Sequence, residues 1–195
     1  ALARPFAIVF VLVSALLLAG CGINTIPTYE EQAKAAWSEV LNQYQRRADL
    51  IPNLVETVKG YAAQEKDVLT SVVEARAKAT QFQIPPDILT DPAALQKFQD
   101  AQGQLGAALG RLIAITENYP DLKSNQNFLA LQSQLEGTEN RITVARRDYI
   151  EAVRLYNTEV RTFPSMIGAW ILGAKPMATF TIPDDKMTTP EVKFD

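Results

Sequence analysis

Charged side chains gather at two places where their types and spacing could do chemistry. Arg46, Arg47 and Asp49 lie just ahead of Pro52 and Asn53, while Glu139, Arg141, Arg146, Arg147 and Asp148 recur along a later helical stretch. Guanidinium groups grip carboxylate or phosphate oxygens with two parallel donors, and a proline inside a helix leaves one backbone carbonyl without its usual donor. On that chemistry Arg46, Arg47, Asp49, Asn53, Arg146 and Arg147 are candidate anion-binding or partner-docking residues. The same residues also fit interhelical and i,i+4 ion pairs that fix the register of a bundle, with Arg47 meeting Glu139 or Asp148. Asn53, next to Pro52, suits a cap on the second part of an interrupted helix.

Other chemistry is removed by composition. The 195 residues contain no histidine, which excludes Ser-His-Asp triads, Cys-His dyads, HExxH zinc sites and imidazole acid-base catalysis. Cys21 is the single cysteine, so no intrachain disulfide exists. Carboxylate pairs such as Glu30-Glu31 and Asp184-Asp185 fall at a helix start and in a tail, where nothing raises a carboxyl pKa. A hydrolase built on Asp49, Asp148 or Glu139 would need one of them desolvated in a cleft. No metal set and no cofactor motif is legible, and a net charge of −3 argues against a nucleic-acid partner.

The leading residues read as an address. Residues 6–23 follow Arg4 without a single charge and end in Leu18-Ala19-Gly20-Cys21-Gly22, which resembles a bacterial lipobox. Acylation of Cys21 would anchor the chain by lipid, in preference to an uncleaved membrane-spanning helix. Either arrangement places the rest of the chain on the periplasmic or extracytoplasmic side of a bacterial membrane.

Helices must position the charged groups. Thr28 and Glu31 have capping-box spacing, so a helix is expected to open there. Its stripe of Ala33, Trp37, Val40, Tyr44, Ala48 and Ile51 meets Pro52, which predicts a kink or break, and resumes from Leu54 to Ala79. Asp91 and Pro92 open a second helix reaching about Tyr119, with Leu95, Phe98, Gln102, Leu105, Leu109, Leu112 and Thr116 as its seam. Gly103, Gly106 and Gly110 in that helix point to close helix approach. After a turn at Pro120-Asp121, a third helix carries Phe128, Leu135, Thr138, Ile142, Ala145, Tyr149 and Tyr156 to Phe163, about 55 to 60 Å. Trp37, Tyr44, Tyr61, Tyr149 and Tyr156 fall at core spacing. Beyond Pro164, Met166, Ile167, Trp170, Ile171 and Leu172 lie in an uncharged stretch that must be buried, by docking on the bundle end, inserting at a membrane interface or joining a second subunit. Residues 175–195 suggest extended structure or disorder.

Together these elements predict an all-α fold: an up-and-down antiparallel bundle of three to four long helices, the first kinked or broken at Pro52, with an extended C-terminal tail. Residues 1–23 form the signal or anchor segment, 24–164 the bundle, and 165–195 the apolar segment and tail.

Ala36-Trp37-Ser38-Glu39-Val40 and the whole of residues 46–61 resemble the signature of the LemA family. So do Glu74-Ala75-Arg76, Asn118-Tyr119-Pro120-Asp121-Leu122-Lys123, Leu135-Glu136-Gly137-Thr138-Glu139-Asn140-Arg141-Ile142 and Ala145-Arg146-Arg147-Asp148-Tyr149. The resemblance covers nearly all of residues 24–170. It implies a membrane-anchored, non-cytoplasmic bundle of long antiparallel helices without catalysis; Ile150 departs from the family's usual Asn. The expected function is a self-associating scaffold or adaptor, a homo-oligomer with a possible membrane-protein partner. The alternative is a sensor that binds a small anionic ligand or peptide near Pro52, which requires unpaired arginines where the scaffold requires paired ones.

Overall fold

The computed structural model describes residue 10 and residues 24–180, so the lipobox with Cys21 and the pair Asp184-Asp185 lie outside the described residues. Six helices and no strand occur within residues 24–180: α1 (Thr25–Lys59), α2 (Lys66–Thr80), α3 (Pro92–Thr116), α4 (Pro120–Lys123), α5 (Gln126–Arg161) and α6 (Ser165–Leu172). None of them is long and apolar enough to cross a membrane.

α1 starts at Thr25, ahead of the expected cap, because Pro27 falls in the first turn, where its missing N–H has no intrahelical acceptor to serve. Thr28 sits inside the helix and its Oγ1 donates to Asn24 O at 2.8 Å, so the expected capping box does not form. Extending the helix backward seats Ile26 in the core, 1% exposed.

α1 then passes through Pro52 without interruption. Pro52 has no N–H to give Ala48 O, four residues earlier, and that carbonyl instead accepts from Arg76 Nε at 2.8 Å. A side chain of α2 thus replaces the lost backbone donor, which keeps the helix whole and sets the height of α2 against α1. Asn53 caps nothing here; its carbonyl accepts from Thr57 Oγ1 within the same helix.

The stripe from Leu54 to Ala79 is divided between two helices. α1 ends at Lys59, a tight turn bonds Ala62 N to Val58 O at 2.8 Å, and α2 returns antiparallel. α3 opens as expected, with Asp91 Oδ1 accepting from Ala93 N and Ala94 N. α4 is a single turn, and Asn125 Oδ1 caps α5 by accepting from Phe128 N. α5 lies antiparallel to α1, pairing Trp37 with Tyr149 and Arg47 with Glu139.

Two cores lie end to end along α1 and α5. The near core, at the start of α1 and the end of α5, holds Trp37, Tyr44, Phe98, Tyr149, Tyr156 and Phe180. The far core, built by α1, α2, α3 and α5 with Leu122 of α4, is mainly aliphatic, with Ile51, Leu54, Val58, Val72, Leu105 and Leu112 around the one buried ring of Phe128. Tyr61 departs from the expected core set: it is 44% exposed at the far turn, where its hydroxyl accepts from Asn125 Nδ2.

The chain after α6 is non-helical and pinned. Gly173 takes φ +66°, the left-handed turn that ends α6, and residues 174–180 run back along α5. Tyr156 and Tyr149 hydroxyls donate to Lys175 O and Ala178 O, and Asn157 exchanges two bonds with Met177. Phe180 completes the near core against Trp37 and Tyr149. Of the two states expected for residues 175–195, extended or disordered, the part as far as residue 180 is a non-helical segment packed on α5; residues 181–195 lie outside the described residues.

Candidate functional site

Where the two cores meet, one arginine is buried. Arg47 is 4% exposed, placed on the inner face of α1 by the same three-and-four spacing that buries Tyr44, Ala48 and Ile51. Its Nη1 pairs with Glu139 Oε1 at 3.0 Å, and its Nη2 donates to the side chain and carbonyl of Gln102 at 2.7 and 3.0 Å. The guanidinium also lies 5.0 Å from the Tyr44 ring centroid. A buried cation needs such partners, because an unpaired one loses several kcal/mol, on the order of 3–5, relative to the pair. Glu139, 46% exposed, keeps water on its outer side.

Gln102 was visible in the sequence only as a polar residue in an apolar seam. That is the mark of a buried polar group whose partner comes from another helix. Thr116 and Thr138 occupy seam positions of the same kind, and their hydroxyls return to Ile113 O and Gln134 O within their own helices.

The remaining candidates do not converge on Arg47. Arg46, Asp49 and Asn53 point to solvent, with Asp49 Oδ1 accepting from Gln45 Nε2. Arg147 is exposed and meets only its neighbour Asp148, at 3.4 Å. Arg146 is the exception, since it stacks on the Phe180 ring at 4.5 Å and its charge acts on the Tyr44 phenol, linking the polar cluster to the near core. Burial pushes the Tyr44 phenol above its ordinary value, with Arg146 and Arg47 pulling the other way and Glu139 adding a smaller rise. Burial alone does the same, more strongly, to Tyr149.

A groove of about 570 Å³ opens beside this cluster, between α3 and α5, lined by Arg47, Gln102, Gly103, Gly106, Glu139 and Arg146. It continues past Gly110 into a second of about 590 Å³. The glycines therefore do not serve close helix approach. A methyl group on Gly103 or Gly110 would meet nothing within 4 Å, and one on Gly106 would rest 3.8 Å from Arg47 Nη1. Arg47 Nε is buried beside this groove without a hydrogen-bond partner.

The uncharged C-terminal stretch forms α6, and its large side chains are not buried among the described residues. Only Ser165, Gly168 and Ala169 face inward. Met166, Ile167, Trp170, Ile171 and Leu172 are 49, 48, 84, 61 and 47% exposed. Among the described residues no group of three potential metal ligands occurs.

A family profile described as LemA family matches residues 36–194. The magnetosome protein MamQ 2 of Paramagnetospirillum magneticum is 29% identical over 168 residues, covering 78% of this chain and 62% of its own length. The magnetosome protein MamQ of Magnetospirillum gryphiswaldense is 27% identical over 188 residues, 87% of this chain and 69% of its own. Protein LemA of Metamycoplasma hominis is 22% identical over 140 residues, 72% of this chain and 60% of its own. The chain thus spans less than two thirds of the length of MamQ 2 and of that LemA protein.

Proposed function

The chain belongs to the LemA family, and from that premise we propose that it is a membrane-tethered, non-catalytic helical scaffold on the extracytoplasmic side of a bacterial membrane, self-associating through its exposed surfaces. The observation that carries this reading is the pairing of the arginines. Arg47 is consumed by Glu139 and Gln102, Arg76 by the Ala48 carbonyl, and Arg146 lies over the Phe180 ring. The buried guanidinium, which could have bound a substrate, holds helices together instead, while Arg46 and Arg147 stand in solvent outside the cluster. Asp49 and Asp148, the carboxylates a hydrolase would need desolvated, stand in solvent.

The tether is the uncharged run of residues 6–23, with Cys21 as the acylated residue. Intact mass of the membrane-extracted protein tests it: a mass beginning at an acylated Cys21 is expected, and an unmodified, uncleaved chain overturns the lipid form of the anchor. Native mass analysis in mild detergent tests assembly. Discrete oligomers are expected, and a monomer at every concentration overturns self-association.

One observation favours a second reading, a sensor for a small anion or acidic peptide. Arg47 Nε is orphaned beside a groove whose wall is opened by Gly103 and Gly106. A rise in melting temperature with inorganic phosphate, lost in Gly106→Leu, would establish that reading in place of the scaffold.

A further inference from the structure

α6 is assembled the wrong way round for a helix that serves its own core. Its small residues, Ser165, Gly168 and Ala169, face the bundle, while Met166, Ile167, Trp170 and Ile171 form one outward face that Phe163, 70% exposed, extends by a turn. Large side chains are left in water where a self-contained protein would have turned them inward.

Position identifies the occupant. α5 delivers α6 to the end of the bundle where α1 begins, so Ala169 shares a core with Ile26, and Ile26 and Leu172 line one cleft. The chain enters at residue 24 from the uncharged run 6–23, only two residues before Ile26. The outward face therefore sits where that run meets the bundle. Between Arg161 and Lys175 there is no charged residue, and both of those flanking side chains are exposed cations. An apolar face with a prominent tryptophan and basic flanks matches the boundary between acyl chains and anionic headgroups. Eight residues rise only about 12 Å, which lies in that boundary but cannot cross it.

We infer that α6 is a second membrane contact, lying in the interfacial layer of the same bilayer that residues 6–23 enter. The inference rests on the tether reading above, because an anchor at residue 24 keeps α6 beside the bilayer and lets a weak, reversible face stay engaged. Two attachments at one end hold the near core at the membrane and leave the turn at Gly60, at the opposite end of α1, away from it.

The test uses the full chain in vesicles of phosphatidylcholine and phosphatidylglycerol carrying brominated acyl chains. Trp37 is buried, so the emission that Trp170→Phe removes reports α6. Bromolipid is expected to quench that component and vesicle binding to shield it from acrylamide, with Trp170→Phe melting as the parent does. Protein that floats with the vesicles while Trp170 stays open to acrylamide and untouched by bromolipid overturns the inference and leaves the tether intact. Trp170 shielded from both quenchers overturns it in favour of a contact with a second copy. Protein that does not float at all overturns the tether and the inference together.

Discussion

The near and far halves of the bundle share α1 and α5 but are closed by different means. The far half is a four-helix layer filled by Leu, Val, Ile and Ala around the single ring of Phe128, each helix burying one stripe against the others. α2 has only 15 residues and stops short, so in the near half no fourth long helix runs beside α1, α3 and α5, and the short α6 adds Ala169 to the core. There the chain substitutes the loop around Phe82 and Ile88 and the segment ending at Phe180, and fills the gap with rings in edge and tilted contact. Aliphatic stripes suffice where regular helices meet. Irregular backbone needs large rings and explicit hydrogen bonds, because its peptide groups find no partners of their own. Arg47 sits at the seam between the two solutions.

The comparison is broken most severely by removing the segment that closes the near half. A chain ending at Ala174 loses the buried Met177 and Phe180 and the acceptors of Tyr149, Tyr156 and Asn157. We expect a loss on the order of 4–6 kcal/mol in chemical denaturation, two large side chains' worth. Amide exchange should rise through the first half of α1 and remain slow in α2; equal loss in both halves would mean they are one cooperative unit.

Alkaline pH should strike the same half. Burial raises the folded-state pKa of Tyr44, Tyr149 and Tyr156, so their contribution to stability is complete below the ordinary phenol value of 10.0 and is lost as pH rises beyond it. The part of the phenolate absorbance that comes from these three residues, isolated by replacing each with Phe, should therefore appear together with loss of near-half protection, not ahead of it.

The seam is next. Glu139→Ala leaves Arg47 buried with only Gln102 and should cost about 2–3 kcal/mol, reduced from a fully buried pair because Glu139 is half exposed. Arg47→Met should cost less, since Glu139 can turn to water. The reverse order in urea melts would show that the charge is better hydrated than its 4% exposure implies.

In the far half, Arg76→Met strands the Ala48 carbonyl and should cost about 1–3 kcal/mol. Restoring an N–H with Pro52→Ala should recover roughly 1 kcal/mol of that loss. Independent, additive effects in the double mutant would refute the exchange of donors. The smallest expected change is a gain: Gly103→Ala and Gly110→Ala should each stabilise by about 0.5–1 kcal/mol, because the added methyls meet open space. A loss there would mean the groove is filled in the native assembly.

How far the sequence reached can be read from particular residues. The three-and-four spacing located the apolar stripes of α1, α3 and α5, and Asp91 with Pro92 marked the start of α3, because these signals depend on backbone geometry within a few residues. The pairing of Arg47 with Glu139 was one of two partners compatible with that spacing. The turn at Gly60 was hidden, since Leu54 to Ala79 keeps one apolar rhythm on both sides of it. Tyr61 looked like core for the same reason. Phe180 carried no signal at all, because a non-periodic segment acquires a buried ring only from the shape of the gap it enters.

Composition and periodicity alone determined that this is a histidine-free chain of all-helical class with charged residues spaced along its long helices and an uncharged run at residues 6–23. Only the tertiary structure decided what those parts do. It showed that the carbonyl freed by Pro52 belongs to Arg76, that Gln102 completes the shell of Arg47, and that the heavy side chains of α6 face outward. Each of these depends on which atoms of distant segments come within about 3 to 5 Å, the range over which hydrogen bonds, ion pairs and side-chain packing act, and a linear pattern carries no information about that distance.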